Sequence, residues 1–217
     1  MRIFKISILF FLLSFCYHTS AQSFKTFALE QSMKPKIGLR TGTSLSKLSN
    51  GNEDTDFRFG FSIGGALKVS LNRHVSLQNE LVFSKKGGRV TYLTNHLYTG
   101  DVRYNLYYMD VPLLLKVKLG RAFHLIGGYQ GSLLLDANID YVDPYVIGFA
   151  ELDESELNSW DNSLVAGFSI GGKKRAFDIR LSYGLNNVAK SDYANTFLGD
   201  AKNISIQFCF TRYFGRR

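Results

Sequence analysis

The feature that most constrains this chain is a two-residue rhythm. Phe57, Phe59, Phe61, Ile63, Gly65, Leu67, Val69 and Leu71 fall on one parity, and Arg58, Gly60, Ser62, Gly64, Ala66, Lys68 and Ser70 on the other. Successive side chains of a β-strand point to opposite faces, so this segment makes a strand with one apolar face and one small or polar face. The pattern returns where Phe177, Ile179, Leu181, Tyr183 and Leu185 alternate with Asp178, Arg180, Ser182 and Gly184. It returns again where Ile204, Ile206, Phe208 and Phe210 alternate with Ser205, Gln207, Cys209 and Thr211. An amphipathic helix would bring its apolar residues back every three to four positions, which these windows do not do.

Carried along the chain, the rhythm predicts eight strands, at 36–48, 57–70, 75–84, 103–119, 122–136, 163–171, 176–188 and 203–214. Their connections alternate in length. Short ones fall at 71–74, 120–121 and 172–175, and long ones near 49–56, 85–102, 137–162 and 189–202. In an up-and-down arrangement all the long loops then gather at one end, as in barrels of bacterial outer membranes. A transmembrane strand needs about 9–11 residues, and each predicted strand supplies them. The fold class that follows is all-β: an eight-stranded antiparallel up-and-down transmembrane β-barrel over 36–217, one domain, monomeric, with lipid as its surroundings.

Charge obeys the same parity. Across the strand middles the apolar face carries no Asp, Glu, Lys or Arg. The other face carries Arg40, Arg58, Lys68, Glu80, Asp110, Lys116, Lys118, Asp178 and Arg180. An eight-stranded barrel has an interior only just wide enough for side chains. The expected lumen is therefore filled by a polar network of Arg40, Arg58, Glu80, Asp110, Lys116, Asp178 and Arg180. Two alternatives stay open: a narrow pore for small solutes, and a soluble lipocalin-like periplasmic carrier, which would need the apolar face turned inward.

The N-terminus reads as a secretory signal. Arg2 and Lys5 form a positive start, 6–15 is a short apolar run, and Thr19, Ser20 and Ala21 supply small residues before Gln22. Cleavage after Ala21 divides the chain into a signal peptide at 1–21, an N-terminal periplasmic segment at 22–35 and the barrel. Losing Arg2 and Lys5, with no acid, lowers the formal charge from +8 to +6. The remaining Lys and Arg are scattered along the chain, a pattern that argues against a nucleic-acid partner. Cys209 then stands alone, on the polar parity, where a small buried side chain is expected.

Three stretches carry a family resemblance. Residues 36–48 (KIGLRTGTSLSKL) look like a first strand, 76–87 (SLQNELVFSKKG) like a third, and 108–116 (YMDVPLLLK) like the most recognisable stretch of PorT-like outer-membrane β-barrels. The resemblance covers nearly all of the chain after the signal. It implies an outer-membrane barrel with a structural or partner-binding role. The family's named member is associated with protein secretion, and the family offers no agreed catalytic residues. Phe214 is followed by Gly215, Arg216 and Arg217, a departure from chains that end on the aromatic residue itself.

No enzyme is expected. His96 alone is placed at the outer rim, without the nucleophile and orienting group of a triad. His74 and His124 are expected near one another at the periplasmic rim, too few for a metal site. No cofactor motif is present, and paired glycines such as Gly127 and Gly128 open no helix after a strand. The acidic loop over 137–162 reads as solvated, because calcium-loop spacing is absent. Tyr104, Tyr107 and Tyr108 are expected in an interfacial aromatic belt. Pro112, inside a strand, has no N–H for the ladder, so it is expected either at a β-bulge, the favoured reading, or where the ladder is locally broken.

Overall fold

The computed structural model describes residues 35–49, 54–94, 97–141, 156–172 and 174–214. The expected signal peptide and, except for Pro35, the segment at 22–35 lie outside them. So does His96, and so do Asp143 and Glu151 to Glu154 of the acidic loop.

Eight long strands form the wall: β1 (Lys36–Ser49), β3 (Arg58–Ser70), β4 (Val75–Thr94), β5 (Leu97–Lys118), β6 (Phe123–Tyr141), β7 (Trp160–Gly171), β8 (Arg175–Gly184) and β9 (Lys202–Phe214). A three-residue strand, β2 (Asp54–Asp56), pairs with β4 beyond the first connection. Each wall strand runs antiparallel to its sequence neighbours, and β1 pairs with β9 to close the ring. Closure matters because it leaves no unpaired edge in lipid. Three tight turns and both strand termini share one end. The turns are held by Leu71 N to Val75 O (2.9 Å), Leu119 N to Phe123 O (2.9 Å) and Gly172 N to Arg175 O (2.9 Å). Asn72 tightens the first of them by accepting from the backbone N–H groups of His74 and Val75.

The barrel is apolar outside and polar inside. Ile37, Leu39, Phe59, Ile63, Leu113 and Leu164 stand exposed, while Arg40, Gln78, Glu80, Asp110, Lys116, Asp178 and Arg180 are buried. A soluble carrier requires the reverse, so that alternative fails on this point. The walls close tightly: an ideal Cβ on inward-facing Gly64 would sit 2.1 Å from the Leu81 carbonyl oxygen. Gly87 lies at φ 142, a conformation that L side chains rarely adopt.

The wall is uneven. β4, β5 and β6 have 20, 22 and 19 residues, against 10 in β8 and 12 in β7. The stretch at 85–102, expected as a long loop, is the paired continuation of β4 and β5 with only 95–96 between the strands. The strand expected at 176–188 ends at Gly184 instead. The last connection, expected as a long one near 189–202, carries a short helix, α1 (Asp192–Leu198).

Pro112 is not at a bulge. Its register with β6 is regular, opposite Gln130. On the other side the ladder lapses over Glu80–Leu81 and resumes in the same register, from Asn79–Leu113 to Val82–Asp110. The missing N–H thus falls where pairing is already broken. The register shift nearest to it lies between Tyr107 and Tyr108, where β6 carries Leu135 as an extra residue.

Candidate functional site

Among the described residues, the lumen holds a dense set of polar side chains, in two layers. The lower layer centres on Glu80 of β4. Arg180 of β8, diametrically opposite in the ring, grips it with two bonds, Nη1 to Oε2 at 2.9 Å and Nη2 to Oε1 at 2.7 Å. Arg40 of β1 adds an ion pair at 3.3 Å, and Gln78 donates to the same carboxylate. Asp178 takes Lys116 Nζ at 2.8 Å and Arg180 Nη2 at 2.5 Å. Arg40 also reaches Gln207 Oε1 at 3.0 Å and Cys209 Sγ at 2.8 Å, and Tyr213 donates its hydroxyl proton to Gln78 at 2.6 Å. An Arg–carboxylate fork is planar and short, so the Arg180–Glu80 pair pins opposite walls at fixed separation.

The upper layer centres on Asp110 of β5, which accepts from Lys86 Nζ at 2.8 Å and Ser84 Oγ at 2.6 Å. Lys86 also donates to Ser132 and stands 4.8 Å from the centroid of the Tyr108 ring. Asn203 of β9 bridges Asp161 of β7 (2.8 Å) and the Tyr108 hydroxyl (3.3 Å). Counted over both layers, Arg40, Lys86, Lys116 and Arg180 face Glu80, Asp110, Asp161 and Asp178. Equal numbers of buried cations and carboxylates suit a closed interior, where an uncompensated charge is strongly unfavourable.

Above these layers sits an apolar plug. Leu48 of β1, Tyr104, Leu106 and Tyr108 of β5 and Leu134 of β6 pack on Leu157, Val188, Ala189, Ala194, Leu198 and Ala201. Two loop segments therefore turn back into the mouth of the barrel. They are tied to each other by Asn158 N to Val188 O (2.9 Å), Lys190 N to Glu156 O (2.9 Å) and Val188 N to Ala201 O (2.8 Å). Helix α1 is capped by Ser191, whose Oγ accepts from Ala194 N at 3.0 Å.

Of the seven residues predicted for the lumen, Arg40, Glu80, Lys116, Asp178 and Arg180 meet in the lower layer and Asp110 anchors the upper one. Arg58 joins neither. It lies near the loop end of β3, opposite Ser46, and its buried Nη1 has no hydrogen-bond partner among the described residues. Tyr104 and Tyr108 are not in a belt. They share the inward parity of Asp110 and are 1% exposed. Tyr107 does face outward, stacked on Phe83 with ring centroids 6.1 Å apart. Sequence reasoning missed Lys86 and Asp161 because it ended one strand at 84 and began another at 163. Extending the alternation by two residues, from Ser84 to Lys86 and from Ser163 to Asp161, would have found both. His74 and His124 flank Lys118 at the turn end, through Lys118 N to His74 O and the Lys118–His124 register. Among the described residues, no three His, Cys, Asp or Glu side chains converge as ligands for a metal ion.

Residues 21–190 match the model of the family described as outer membrane protein beta-barrel domain. This chain belongs to that family. Its place is the outer membrane, its apolar face meets lipid, and its tight turns mark the periplasmic end and its long connections the outer end. In structure the chain is similar to Ail, the attachment invasion locus protein of Yersinia pestis (12% identity, 84% of this chain and 100% of that one, TM-score 0.44). It is also similar to Neisserial surface protein A (11% identity, 82% and 97%, TM-score 0.47) and to OprG from Pseudomonas aeruginosa (15% identity, 85% and 98%, TM-score 0.46). No curated protein matches the chain in sequence.

Proposed function

We propose that this barrel is a membrane-held interaction protein, neither channel nor enzyme, that presents its outer end to a protein partner of the cell envelope. The observation that carries this reading is the filled lumen. Arg180 crosses it to Glu80, and the plug around Leu106 lies above. A solute would have to part a forked, fully buried ion pair and then displace packed hydrocarbon. The resemblance of 108–116 to PorT-like barrels supports an envelope role of this kind, with secretion as its nearest example.

The projecting wall of β4–β6 is the part of the outer end best suited to a partner. It is backbone-paired far past the length that lipid requires, so its shape does not depend on the partner. Two measurements test the reading. In planar bilayers the purified barrel gives no steps of conductance, and steady ohmic steps would establish the narrow pore instead. Replacing 89–103 by a short turn leaves a barrel that still shifts on heating in a gel, and abolishes crosslinking to envelope proteins in the native host. Unchanged crosslinks would remove the wall from the proposal.

A further inference from the structure

The two ends of this barrel differ in charge among the described residues, where no acid stands at the periplasmic rim. Among the described residues, the acids of the periplasmic half are Glu80 and Asp178, both committed to the lower lumen layer. Against that background, Arg175 of β8 and Arg212 of β9 stand directly opposite each other in register. Both are exposed, both have outward parity, and Lys174 adjoins them, its carbonyl accepting from Tyr213 N at 2.8 Å. Like charges directly opposite on neighbouring strands destabilise a sheet unless something neutralises them. The nearest aromatic help is the Phe214 ring, 5.8 Å from the Arg212 guanidinium carbon.

The position of this pair says what would neutralise it. One step further into the membrane, Phe177 and Phe210 are again opposite each other and exposed. Beside Arg212, β1 presents Leu39 opposite it and Ile37 opposite Phe214, 61% and 66% exposed. The cations thus stand among outward apolar side chains, with Phe177 and Phe210 on the membrane side and Ile37 and Phe214 toward the strand termini, where headgroups rather than open periplasm are the expected surroundings. A soluble acidic protein would have to reach past the headgroups to meet them.

The geometry points to a binding site for the phosphate of an anionic phospholipid of the periplasmic leaflet, held by Arg175 and Arg212 with Lys174 beside them. The acyl chains run along Phe177, Phe210 and Leu39. Two arginines at paired positions of the same outward face offer the forked donors that the oxygens of a phosphodiester accept from.

The test uses the whole barrel in nanodiscs of equal phosphatidylglycerol and phosphatidylcholine, released into native mass spectrometry. Wild type is expected to retain phosphatidylglycerol in excess. Each of Arg175→Gln and Arg212→Gln should lower that enrichment about fivefold, the effect of one cation near an anionic surface. Arg121→Gln, on a different turn, should leave it unchanged, and all three variants should keep heat-modifiable mobility as proof of folding. Equal retention of both lipids by wild type overturns the site. So does an enrichment untouched by the Arg175 and Arg212 changes, or one lost equally with Arg121→Gln. Complete loss of the enrichment to added inorganic phosphate would assign the pair to the free ion and overturn the lipid.

Discussion

The ion-pair layer around Glu80 and the apolar plug around Leu106 fill the same lumen, one with charge and the other with hydrocarbon. The difference follows from what lies outside the wall at each height. In the membrane the outward face belongs to lipid and must be apolar. A strand apolar on both faces would be an aggregation hazard while the chain crosses the periplasm. The inward face is therefore polar there, and long charged side chains spanning a glycine-lined wall fill it. Beyond the membrane water lies outside, and the faces exchange roles. On β6, Asp136, Asn138 and Asp140 are exposed, while Ala137 and Ile139 pack on the plug. The extra residue Leu135 is the device that shifts the phase, since one inserted residue moves every later side chain to the other face.

The contrast breaks first in the ion-pair layer. Arg180→Met leaves Glu80 and Asp178 each without a principal cation, and losing one partner of a buried pair costs about 3–5 kcal/mol. The urea midpoint of the barrel refolded in lipid vesicles should fall accordingly. Adding Glu80→Gln should recover a large part of the loss. A double variant no better than Arg180→Met would mean that shape, not charge, sets this layer.

In the plug the expected effect is smaller for the wall and larger for the loops. Leu106→Ala removes a fully buried side chain, for which about 2–5 kcal/mol is usual in a well-packed core. The plug is a satellite of the barrel, so the loss should appear as local opening. Limited proteolysis should cut within 186–201, while the folded barrel band in an unheated gel persists. Loss of that band would show that plug and wall fold as one unit. Conductance sharpens the same point. Leu106→Ala and Arg180→Met are each expected to leave the barrel closed, and only their combination to pass ions, because two barriers stand in series.

Strand centres were legible in the sequence because lipid outside and a narrow lumen inside force strict alternation, as in 57–71 and 203–214. The inward parity of the charges was legible for the same reason, but which of them pair, and at what height, was not. Nor were the strand ends. At 85–102, polar and glycine residues that would mark a loop in a soluble protein continue as paired strand, because outside the membrane the wall is free to be polar. At 134–141 the bulge interrupts the rhythm, so inward Ala137 and Ile139 look out of phase. Tyr104 and Tyr108 were misplaced by the general preference of tyrosine for interfaces, though their parity with Asp110 already pointed inward. Arg58 had the right parity and the wrong height.

The smallest expected effect isolates the plug's own order from its packing. Ser191 caps α1 and touches neither charge layer, so Ser191→Ala removes a single N-terminal bond from a seven-residue helix. Such a cap is worth about 1 kcal/mol. Amides of 194–198 should exchange about fivefold faster, while those of β8 and β9 below keep their rates. Among the described side chains of the helix, Ala194 and Leu198 reach the apolar cluster, so a helix frayed at its start should still be held by Leu198. If exchange instead quickens throughout Leu157 and 188–201, the plug is a cooperative unit whose order begins at the cap. If nothing changes, packing against Leu106 and Tyr108 already determines the helix, and the cap adds no order of its own.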